Sequence, residues 1–247
     1  MPFCNVFGVR VAATTLKTAV NTICRRLPDW RGEYITFVNV HAISMAQEEK
    51  SYLDAQQDAV ISFPDGYPIA LYERRNGYPK AQRIAGPDFM EAIFQKSVET
   101  KYRHYFYGGS RETLQALQDN LEKKYPGIVI AGTYAPPRIK HFSKERIAQD
   151  IERMNAVAPD FVWIGLGAPK QEYWMREAVG KVNGLMLGVG AGFDFHAGTV
   201  KRAPEWMQRI GMEWFYRMMR EPDRLFPRYL KTNIRFLKMC IKEKVCG

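Results

Sequence analysis

The chain is poor in cysteine. Its 247 residues include four cysteines, at positions 4, 24, 240 and 246, and four histidines, and no two cysteines have the Cys-x-x-Cys spacing. Disulfide-stabilised secreted domains and structural zinc sites both need such residues in clusters. The sequence therefore argues against these two classes, and we expect reduced thiols in a cytosolic protein.

Long apolar runs are also absent from the sequence. No segment approaches the roughly 20 apolar residues that a membrane-spanning helix needs, and residues 1–6 lack the basic start and apolar stretch of a signal peptide. The sequence has no internal repeat and no Gly/Ser-rich linker. We therefore expect a cytoplasmic protein that contacts a membrane only peripherally, at the inner face of the plasma membrane.

Acidic residues are outnumbered by basic ones. The chain has 36 Lys and Arg against 26 Asp and Glu, which gives a formal net charge of +10. Residues 201–247 alone carry twelve Lys and Arg against five Asp and Glu. Such a balance indicates an anionic partner, which could be nucleic acid, a membrane surface or a phosphorylated substrate.

The order of apolar patterns predicts the fold class. Short β-rich runs alternate with helical patterns, as in proteins built from βαβ units around a mostly parallel sheet. We therefore predict an α/β, Rossmann-like catalytic domain over residues 1–196 and a basic helical appendage over residues 197–247. The strands are predicted at 6–11, 34–40, 59–63, 102–107, 128–134, 161–166 and 184–189.

The appendage is predicted to contain two amphipathic helices. Apolar residues recur every four positions from Trp206 to Met218, so the first helix should pack on the sheet domain or insert at an interface, and Pro222 should end it. The second should begin at Pro227. Its apolar stripe is Leu230, Ile234, Leu237, Ile241 and Val245. Its basic stripe is Arg228, Lys231, Arg235, Lys238 and Lys242. This pattern is typical of a helix on an anionic membrane, although a helix packed on its own domain would show it too.

Several loops that follow strands carry candidate functional residues. Asp65 comes directly after an apolar strand, where open α/β sheets bind ligands, although an Asp before Gly also commonly closes a turn. The run from Gly108 to Ser110 leads into a helix and could cradle phosphate, as could any plain strand-to-helix turn. The run from Gly188 to Gly192 comes too late in the chain for a dinucleotide fingerprint.

Seven short motifs taken together are far more specific than any one of them. They occur in this order: Thr36-x-x-Asn39, Pro64-Asp65-Gly66, Arg83-x-x-Gly86-x-Asp88, Gly165-x-Gly167-x-Pro169-Lys170-Gln171-Glu172, Gly188-Val189-Gly190-x-x-Phe193-Asp194-x-x-x-Gly198, Arg202-Ala203-Pro204-x-Trp206 and Glu213-Trp214-x-x-Arg217-x-x-x-Glu221-Pro222-x-Arg224. Over nearly its whole length the chain resembles the WecG/TagA/CpsF family of bacterial glycosyltransferases, glycosyltransferase family 26.

The resemblance implies a membrane-associated, inverting enzyme without a metal or other cofactor. Such an enzyme moves a sugar from a UDP-sugar to a sugar on a polyprenyl diphosphate in cell-surface polysaccharide synthesis. It implies that Asp65 is the general base. It also implies that Thr36, Asn39, Arg83 and Gln171 belong to the substrate site. To these we add, as candidates for binding substrate, Gly108, Gly167, Lys170 and Asp194. Arg217, Arg220 and Arg224 are implied to close over the donor diphosphate.

Elementary chemistry agrees with these expectations. A carboxylate at a strand end can accept the proton of an attacking hydroxyl, and the leaving diphosphate needs cations as its charge grows. The sequence lacks the Asp-x-Asp pair by which many transferases hold a metal ion, and arginines grip phosphate with two N–H groups at once. Asp194 is a rival carboxylate, whereas His41 and His196 are interpreted as packed residues and Glu213 as an ion-pair partner of Arg217.

Two other functional classes are compatible with parts of the sequence. One is an NAD-dependent nucleotide-sugar epimerase or reductase that uses the late glycines, and the other is a non-catalytic basic module that binds nucleic acid. The favoured interpretation requires neither nucleic acid nor NAD. The sugar could be of the N-acetylmannosamine, mannosaminuronic acid or glucose type, and self-association into a homo-oligomer is compatible with the sequence.

Overall fold

The alternation of strands and helices forms one eight-stranded sheet with helices on both faces. A computed structural model describes residues 1–137, 142–209 and 211–246. The strands are β1 (Phe3–Val6), β2 (Val9–Ala12), β3 (Tyr34–Val38), β4 (Ile61–Pro64), β5 (Arg103–Gly108), β6 (Val129–Tyr134), β7 (Phe161–Gly165) and β8 (Leu185–Gly188). The sheet order is β1-β2-β4-β3-β8-β7-β5-β6, and only β1 and β2 pair antiparallel. The predicted α/β class with a mostly parallel sheet is confirmed.

Helices connect the strands and continue into the C-terminal segment. They are α1 (Leu16–Arg26), α2 (Val40–Glu48), α3 (Lys50–Gln57), α4 (Tyr67–Arg75), α5 (Gly86–Thr100), α6 (Arg111–Lys124), α7 (Lys144–Asn155), α8 (Lys170–Ala178), α9 (Gly192–His196), α10 (Glu205–Arg209), α11 (Glu213–Arg220) and α12 (Pro222–Cys246). Ser110 and Ser143 accept hydrogen bonds from the backbone N–H groups of Thr113 and Arg146 and so cap the N-terminal ends of α6 and α7.

The N-terminal strand prediction was wrong. A single strand was predicted over residues 6–11, but the chain reverses there into the β1–β2 hairpin, with Val6 opposite Val9. Phe7 and Gly8 form the turn at φ values of 49° and 88°, and the Gly8 N–H donates to Asn5 Oδ1 at 2.7 Å. A two-residue turn with positive φ values at both positions matches the twist of an antiparallel pair.

The central strands are buried on both faces. Phe161, Val162, Trp163 and Ile164 of β7 all have no exposed surface, because helices cover the two sides of a parallel sheet. One face packs against α1, α5, α6 and α9, and the other packs against α7 and α8. A third apolar cluster joins the hairpin, α2 and α4 to Phe236 of α12.

The appendage differs from its predicted form at two points. The apolar pattern from Trp206 to Met218 spans two helices, α10 and α11, because the intervening Gly211 has a φ of +78° that ends helical geometry. The last helix begins at Pro222 instead of Pro227, which lies inside α12. Proline suits a first helical turn because its missing N–H would have no helical partner there. Ile210 lies outside the described residues.

Candidate functional site

A cavity of about 1750 Å³ lies between the sheet and the appendage. Asn39 follows β3, Asp65 follows β4, Gly167 follows β7 and Gly190 follows β8, and all four residues line the cavity. These are neighbouring parallel strands, so their carboxyl ends meet at one edge of the sheet, where such folds bind ligands. The opposite wall comes from α11 and α12 and includes Trp214, Tyr229, Asn233 and Phe236.

Asp65 is held by its backbone at the end of β4. Its N–H donates to the Val38 carbonyl of β3 at 2.9 Å. Its own carbonyl accepts from Arg83 Nε at 2.9 Å. The neighbouring Pro64 carbonyl accepts from the Ile84 N–H at 2.8 Å. The turn that carries the carboxylate is thus tied to a strand on one side and to a loop on the other, which fixes the direction in which the side chain leaves the backbone.

Asn39 lies beside the Asp65 turn. A side chain added at Gly66 would lie 3.5 Å from Asn39 Cβ. The Asn39 side-chain oxygen accepts from the Ala42 N–H at 3.1 Å and caps α2. This cap uses only the amide oxygen and leaves the amide N–H groups for a ligand in the cavity.

Gln171 joins two loops of the site to each other. Its Oε1 accepts from the N–H groups of Gly167 and Gly190 at 3.2 and 3.1 Å. Its Nε2 donates to the Gly188 carbonyl at 3.1 Å and to Glu172 Oε1 at 3.0 Å. Both acceptor positions and both donor positions of the amide are therefore used within the protein. Gln171 shapes the cavity floor.

Glu172 is a buried acid that sequence reasoning did not single out. It lines the cavity and is 2% exposed. Burial raises its pKa from 4.5 to about 7, although the Gln171 amide and the adjacent Tyr52 phenol favour the ionised form. A carboxyl group that titrates near neutrality is a common feature of functional sites. In the sequence, only the position of Glu172 in a motif, between Gln171 and an apolar helix face, could have indicated that this acid is buried at the site.

Four alternating charges join the appendage to the Asp65 turn. Arg83 contacts Glu213 and Asp88, and Arg202 contacts the same two carboxylates. The Arg202–Glu213 contacts are 3.0 and 3.2 Å long. Burial would raise the pKa of Glu213, but the two arginines outweigh it and the pKa is lowered. Glu213 was predicted to pair within its helix with Arg217, whose side chain lies outside the described part of the structure; among the described residues Glu213 pairs with Arg83 and Arg202.

Three residues expected in the substrate site lie outside the cavity lining. Thr36 is fully buried in β3, where its hydroxyl contacts Gln56 Oε1 and Ser62 Oγ at 2.8 Å each. Gly108 packs so closely on β7 that a side chain there would lie 2.5 Å from the Gly165 carbonyl carbon. The exposed Lys170 begins α8. The structure therefore brings together Asn39, Asp65, Arg83, Gly167, Gln171 and Asp194.

The remaining acid–base candidates fall into two groups. Asp194, the rival carboxylate, lines the same cavity, as does His41. His196 is packed away from it: its Nε2 contacts the Pro87 carbonyl at 3.1 Å and its ring lies 5.4 Å from that of Phe94. Burial lowers the pKa of His196. His196 is thus a packed residue outside the cavity lining, as its apolar surroundings in the sequence indicated.

The basic residues of the appendage differ in their partners. Arg220 is exposed and contacts the Tyr216 hydroxyl at 3.1 Å. Lys231, Arg235, Lys238 and Lys242 line one hollow on the surface of α12. Within it, Lys231 and Arg235 pair with Glu48 of α2, although the Lys231 side chain is still 67% exposed. The side chains of Arg217, Arg224 and Arg228 lie outside the described part of the structure.

Apolar side chains are exposed on the same segment. Leu230, Ile234, Leu237 and Ile241 are between 46% and 60% exposed, which agrees with their predicted stripe. Within residues 1–137, 142–209 and 211–246, none of the helices combines the length and hydropathy that crossing a bilayer would require. In the same residues, no group of three or more His, Cys, Asp and Glu side chains is arranged to hold a metal ion.

Comparisons with known proteins agree with the motif pattern. The model of the glycosyl transferase WecG/TagA/CpsF family matches residues 4–247. The N-acetylglucosaminyldiphosphoundecaprenol N-acetyl-beta-D-mannosaminyltransferase of Bacillus subtilis (strain 168) is 30% identical over 212 residues, which are 83% of this chain and 80% of that protein. A protein of the same name from Bacillus spizizenii is 27% identical over 223 residues, or 88% and 84% of the two chains. Another from Staphylococcus aureus (strain MW2) is 26% identical over 193 residues, or 78% and 74%.

Proposed function

Because the chain belongs to the WecG/TagA/CpsF family of glycosyltransferases, we propose that it transfers N-acetylmannosamine from its UDP-sugar to N-acetylglucosamine on a polyprenyl diphosphate. The names of the three relatives support this acceptor and this sugar. The position of Asp65 on the cavity wall, at the end of a central strand, carries the proposal.

Asp65 acts as the general base in this proposal. An inverting transfer needs a carboxylate that takes the proton from the acceptor hydroxyl, on the face of the sugar opposite the departing UDP. Two backbone hydrogen bonds and the bond from the Arg83 side chain hold the Asp65 turn rigid, and the neighbouring Asn39 offers its amide N–H groups to a sugar hydroxyl or to the acceptor. Asp194 lines the same cavity and is assigned a role in binding substrate.

Arginines of the appendage balance the charge of the leaving diphosphate. Glu213 and Trp214 at the start of α11 and Glu221 at its end line the cavity, so the backbone segment that carries Arg217, Arg220 and Arg224 lies at its rim. A guanidinium group there is permanently charged and binds phosphate oxygens in pairs. Together with the missing Asp-x-Asp pair, this supports a transfer that needs no metal ion.

The appendage also holds the enzyme on the membrane that carries its acceptor. The exposed stripe from Leu230 to Ile241 would enter the headgroup region, with Lys238 and Lys242 beside it on lipid phosphates. Each cation near an anionic surface contributes about 1 kcal/mol, which suits reversible attachment. The proposed location is therefore peripheral, on the inner face of the plasma membrane.

Release of UDP by the purified protein tests the proposed reaction. The assay contains EDTA, anionic vesicles, short polyprenyl-diphosphate N-acetylglucosamine and the UDP-sugars of N-acetylmannosamine, mannosaminuronic acid and glucose. We expect acceptor-dependent UDP release from UDP-N-acetylmannosamine. Release from another donor would contradict the proposed sugar, and release that EDTA abolishes would contradict metal independence.

Two matched variants test the base. Asp65→Asn keeps the size of the side chain and the backbone hydrogen bonds, so we expect kcat to fall by about 10²- to 10⁴-fold with UDP binding and thermal stability unchanged. Asp194→Asn removes the rival carboxylate from the same cavity and should act mainly on KM. The reverse pattern would identify Asp194 as the base.

A further inference from the structure

We propose that Arg83, Arg202 and Glu213 are positioning residues, which place Asp65 correctly only when α11 is seated against the sheet domain. The inference rests on the proposed role of Asp65 as the base. It changes the expected role of Arg83 from a ligand of the substrate to a support of the catalytic turn. It also gives the appendage a part in catalysis that is separate from membrane attachment and from contact with the diphosphate.

The first observation is that the protein itself occupies the Arg83 guanidinium group. Its Nε donates to the Asp65 carbonyl at 2.9 Å. Its Nη2 donates to Glu213, and its Nη1 lies 3.6 Å from Asp88 Oδ2. All three nitrogens thus have protein partners, and the Arg83 side chain is only 19% exposed. Because the guanidinium group is planar and rigid, a shift of Glu213 or Asp88 would also shift the Nε that binds the Asp65 carbonyl.

The second observation is that Glu213 belongs to the appendage and is itself held by a second arginine. Arg202 grips both carboxylate oxygens of Glu213 and also contacts Asp88, which closes a ring of four alternating charges. The Glu213 side chain is 11% exposed. Removing one member of such a buried ring leaves its partners with uncompensated charge, so the remaining members are expected to rearrange.

A third, independent contact seats the same helix on the same turn. Gly211, two residues before Glu213, packs on Tyr67, two residues after Asp65. A Cβ atom at Gly211 would lie 2.5 Å from Tyr67 Cγ, and the φ of Gly211 is +78°. This contact involves no charge. The start of α11 therefore touches the Asp65 turn from one side through Tyr67 and from the other through Arg83.

The consequence concerns the rate more than binding. If α11 is displaced, Arg83 loses Glu213 and the Asp65 carbonyl loses a fixed partner, so the carboxylate direction changes. Misplacement of a reacting group by about 1 Å can lower a rate about 100-fold. Loss of the ring should therefore lower kcat, with little change in the KM for the donor.

Glu213→Gln tests the inference, with Asp150→Asn as a matched control. Asp150 is also a buried carboxylate with two arginine partners, Arg146 and Arg153, but it lies on α7 and contributes nothing to the cavity lining. We expect Glu213→Gln to lower kcat about 10- to 100-fold and Asp150→Asn to leave kcat unchanged, although both should lower the melting temperature. An unchanged kcat in Glu213→Gln would overturn the inference.

A double variant separates positioning from a general structural effect. In an Asp65→Asn background there is no base to place, so Glu213→Gln should cause no further loss of kcat, because residues that act as a unit are not additive. The same fold-loss in both backgrounds would overturn the inference. If Asp65→Asn alone kept the wild-type rate, both the base assignment and this inference would fail, whereas a slow Asp65→Asn with a normal Glu213→Gln would overturn the inference alone.

Gly211→Ala supplies a second route that leaves every charge in place. The added methyl group clashes with Tyr67 and disfavours the local φ. We expect the kcat of this variant to fall as in Glu213→Gln, again without a further fall in the Asp65→Asn background. If Glu213→Gln does not fold, this variant decides the question by itself, and a wild-type kcat in Gly211→Ala would overturn the inference.

Discussion

The sheet domain and the appendage are stabilised in opposite ways. In the sheet domain, the largest apolar side chains of β7 and β8 are fully buried. In the appendage, apolar side chains such as Phe226, Leu230 and Leu237 are at least half exposed, and contacts with the domain include ion pairs and a few apolar anchors such as Phe236. The first region is stable by its own burial, and the second has apolar surface left over for another partner.

The difference also extends to buried acids. Glu172 in the sheet domain is buried with no Lys or Arg partner among the described residues and has a raised pKa, whereas Glu213 in the appendage is buried between two arginines and has a lowered pKa. The joint between the two regions therefore depends on charge pairs that form only when the appendage is seated. A mobile or membrane-dependent element can be placed in this way without a large apolar interface.

The largest expected effect is on stability, and it tests whether the sheet domain depends on buried side chains more than the appendage does. Leu187→Ala removes a fully buried side chain between β3 and β7, so it should lower the free energy of unfolding by about 2–5 kcal/mol. Leu237→Ala removes the same atoms from a side chain that is 60% exposed, and in solution it should change stability by less than about 0.5 kcal/mol. Urea unfolding measures both. Equal losses would show that the appendage is part of the core.

The next effect is the pH dependence of stability, which should differ in sign between the buried acids Glu172 and Glu213. The folded pKa of Glu172, about 7, lies above its ordinary value of 4.5. Between these values the unfolded chain has lost the proton and the folded chain keeps it, so the wild type loses stability as pH rises. Glu172→Gln should gain stability relative to the wild type, on the order of 3 kcal/mol, between pH 4.5 and 7 and then level off. Unfolding curves at several pH values measure it.

Glu213 should behave in the opposite sense. Its pKa is lowered in the folded state, so its contribution is present above an ordinary carboxyl pKa of 4.5 and is lost as pH falls below that value. The stability difference between wild type and Glu213→Gln should therefore shrink on acidification. A difference that does not depend on pH would contradict the charged state of Glu213 in the ring.

The smallest expected effect is on membrane binding, and it compares two pairs of basic residues within α12. Lys231, Lys238 and Lys242 are all exposed, but Lys231 and Arg235 pair with Glu48, and no ion pair is seen for Lys238 or Lys242 in the described part of the structure. Changing Lys238 and Lys242 to glutamine should weaken binding to anionic vesicles by about 1 kcal/mol per charge. The Lys231→Gln/Arg235→Gln variant removes the same charge from the same helix and should weaken binding less. Equal losses in vesicle flotation would show that all four cations face the lipid.

Much of the fold could be predicted from local patterns. Apolar runs located the strands of the parallel sheet to within a few residues, because buried strands read as continuous apolar segments. Serine caps marked the starts of α6 and α7. The hairpin at Phe7–Gly8 and the break at Gly211 were missed, since single positive φ values reverse or end an element without changing the apolar pattern.

The predictions for the candidate site agree with the structure for some residues and not for others. Asp65 was singled out because it follows an apolar strand, and Asn39 because the family resemblance implies it; both line the cavity. Gln171 was assigned to the substrate, but all of its hydrogen-bonding positions are used by Glu172 and three glycines of the surrounding loops. A sequence names the residue type and cannot count the partners that surround it.

The sequence by itself determined the alternation of strands and helices, the carboxylate at the end of β4 and the amphipathic character of α12, because these depend on residues close together in the chain. The tertiary structure alone decided that Glu213 pairs with Arg83, 130 residues away, and that two of the basic residues of α12 face α2. Such pairings depend on how the elements pack. No local pattern records which distant charges will meet once their helices and loops are in place.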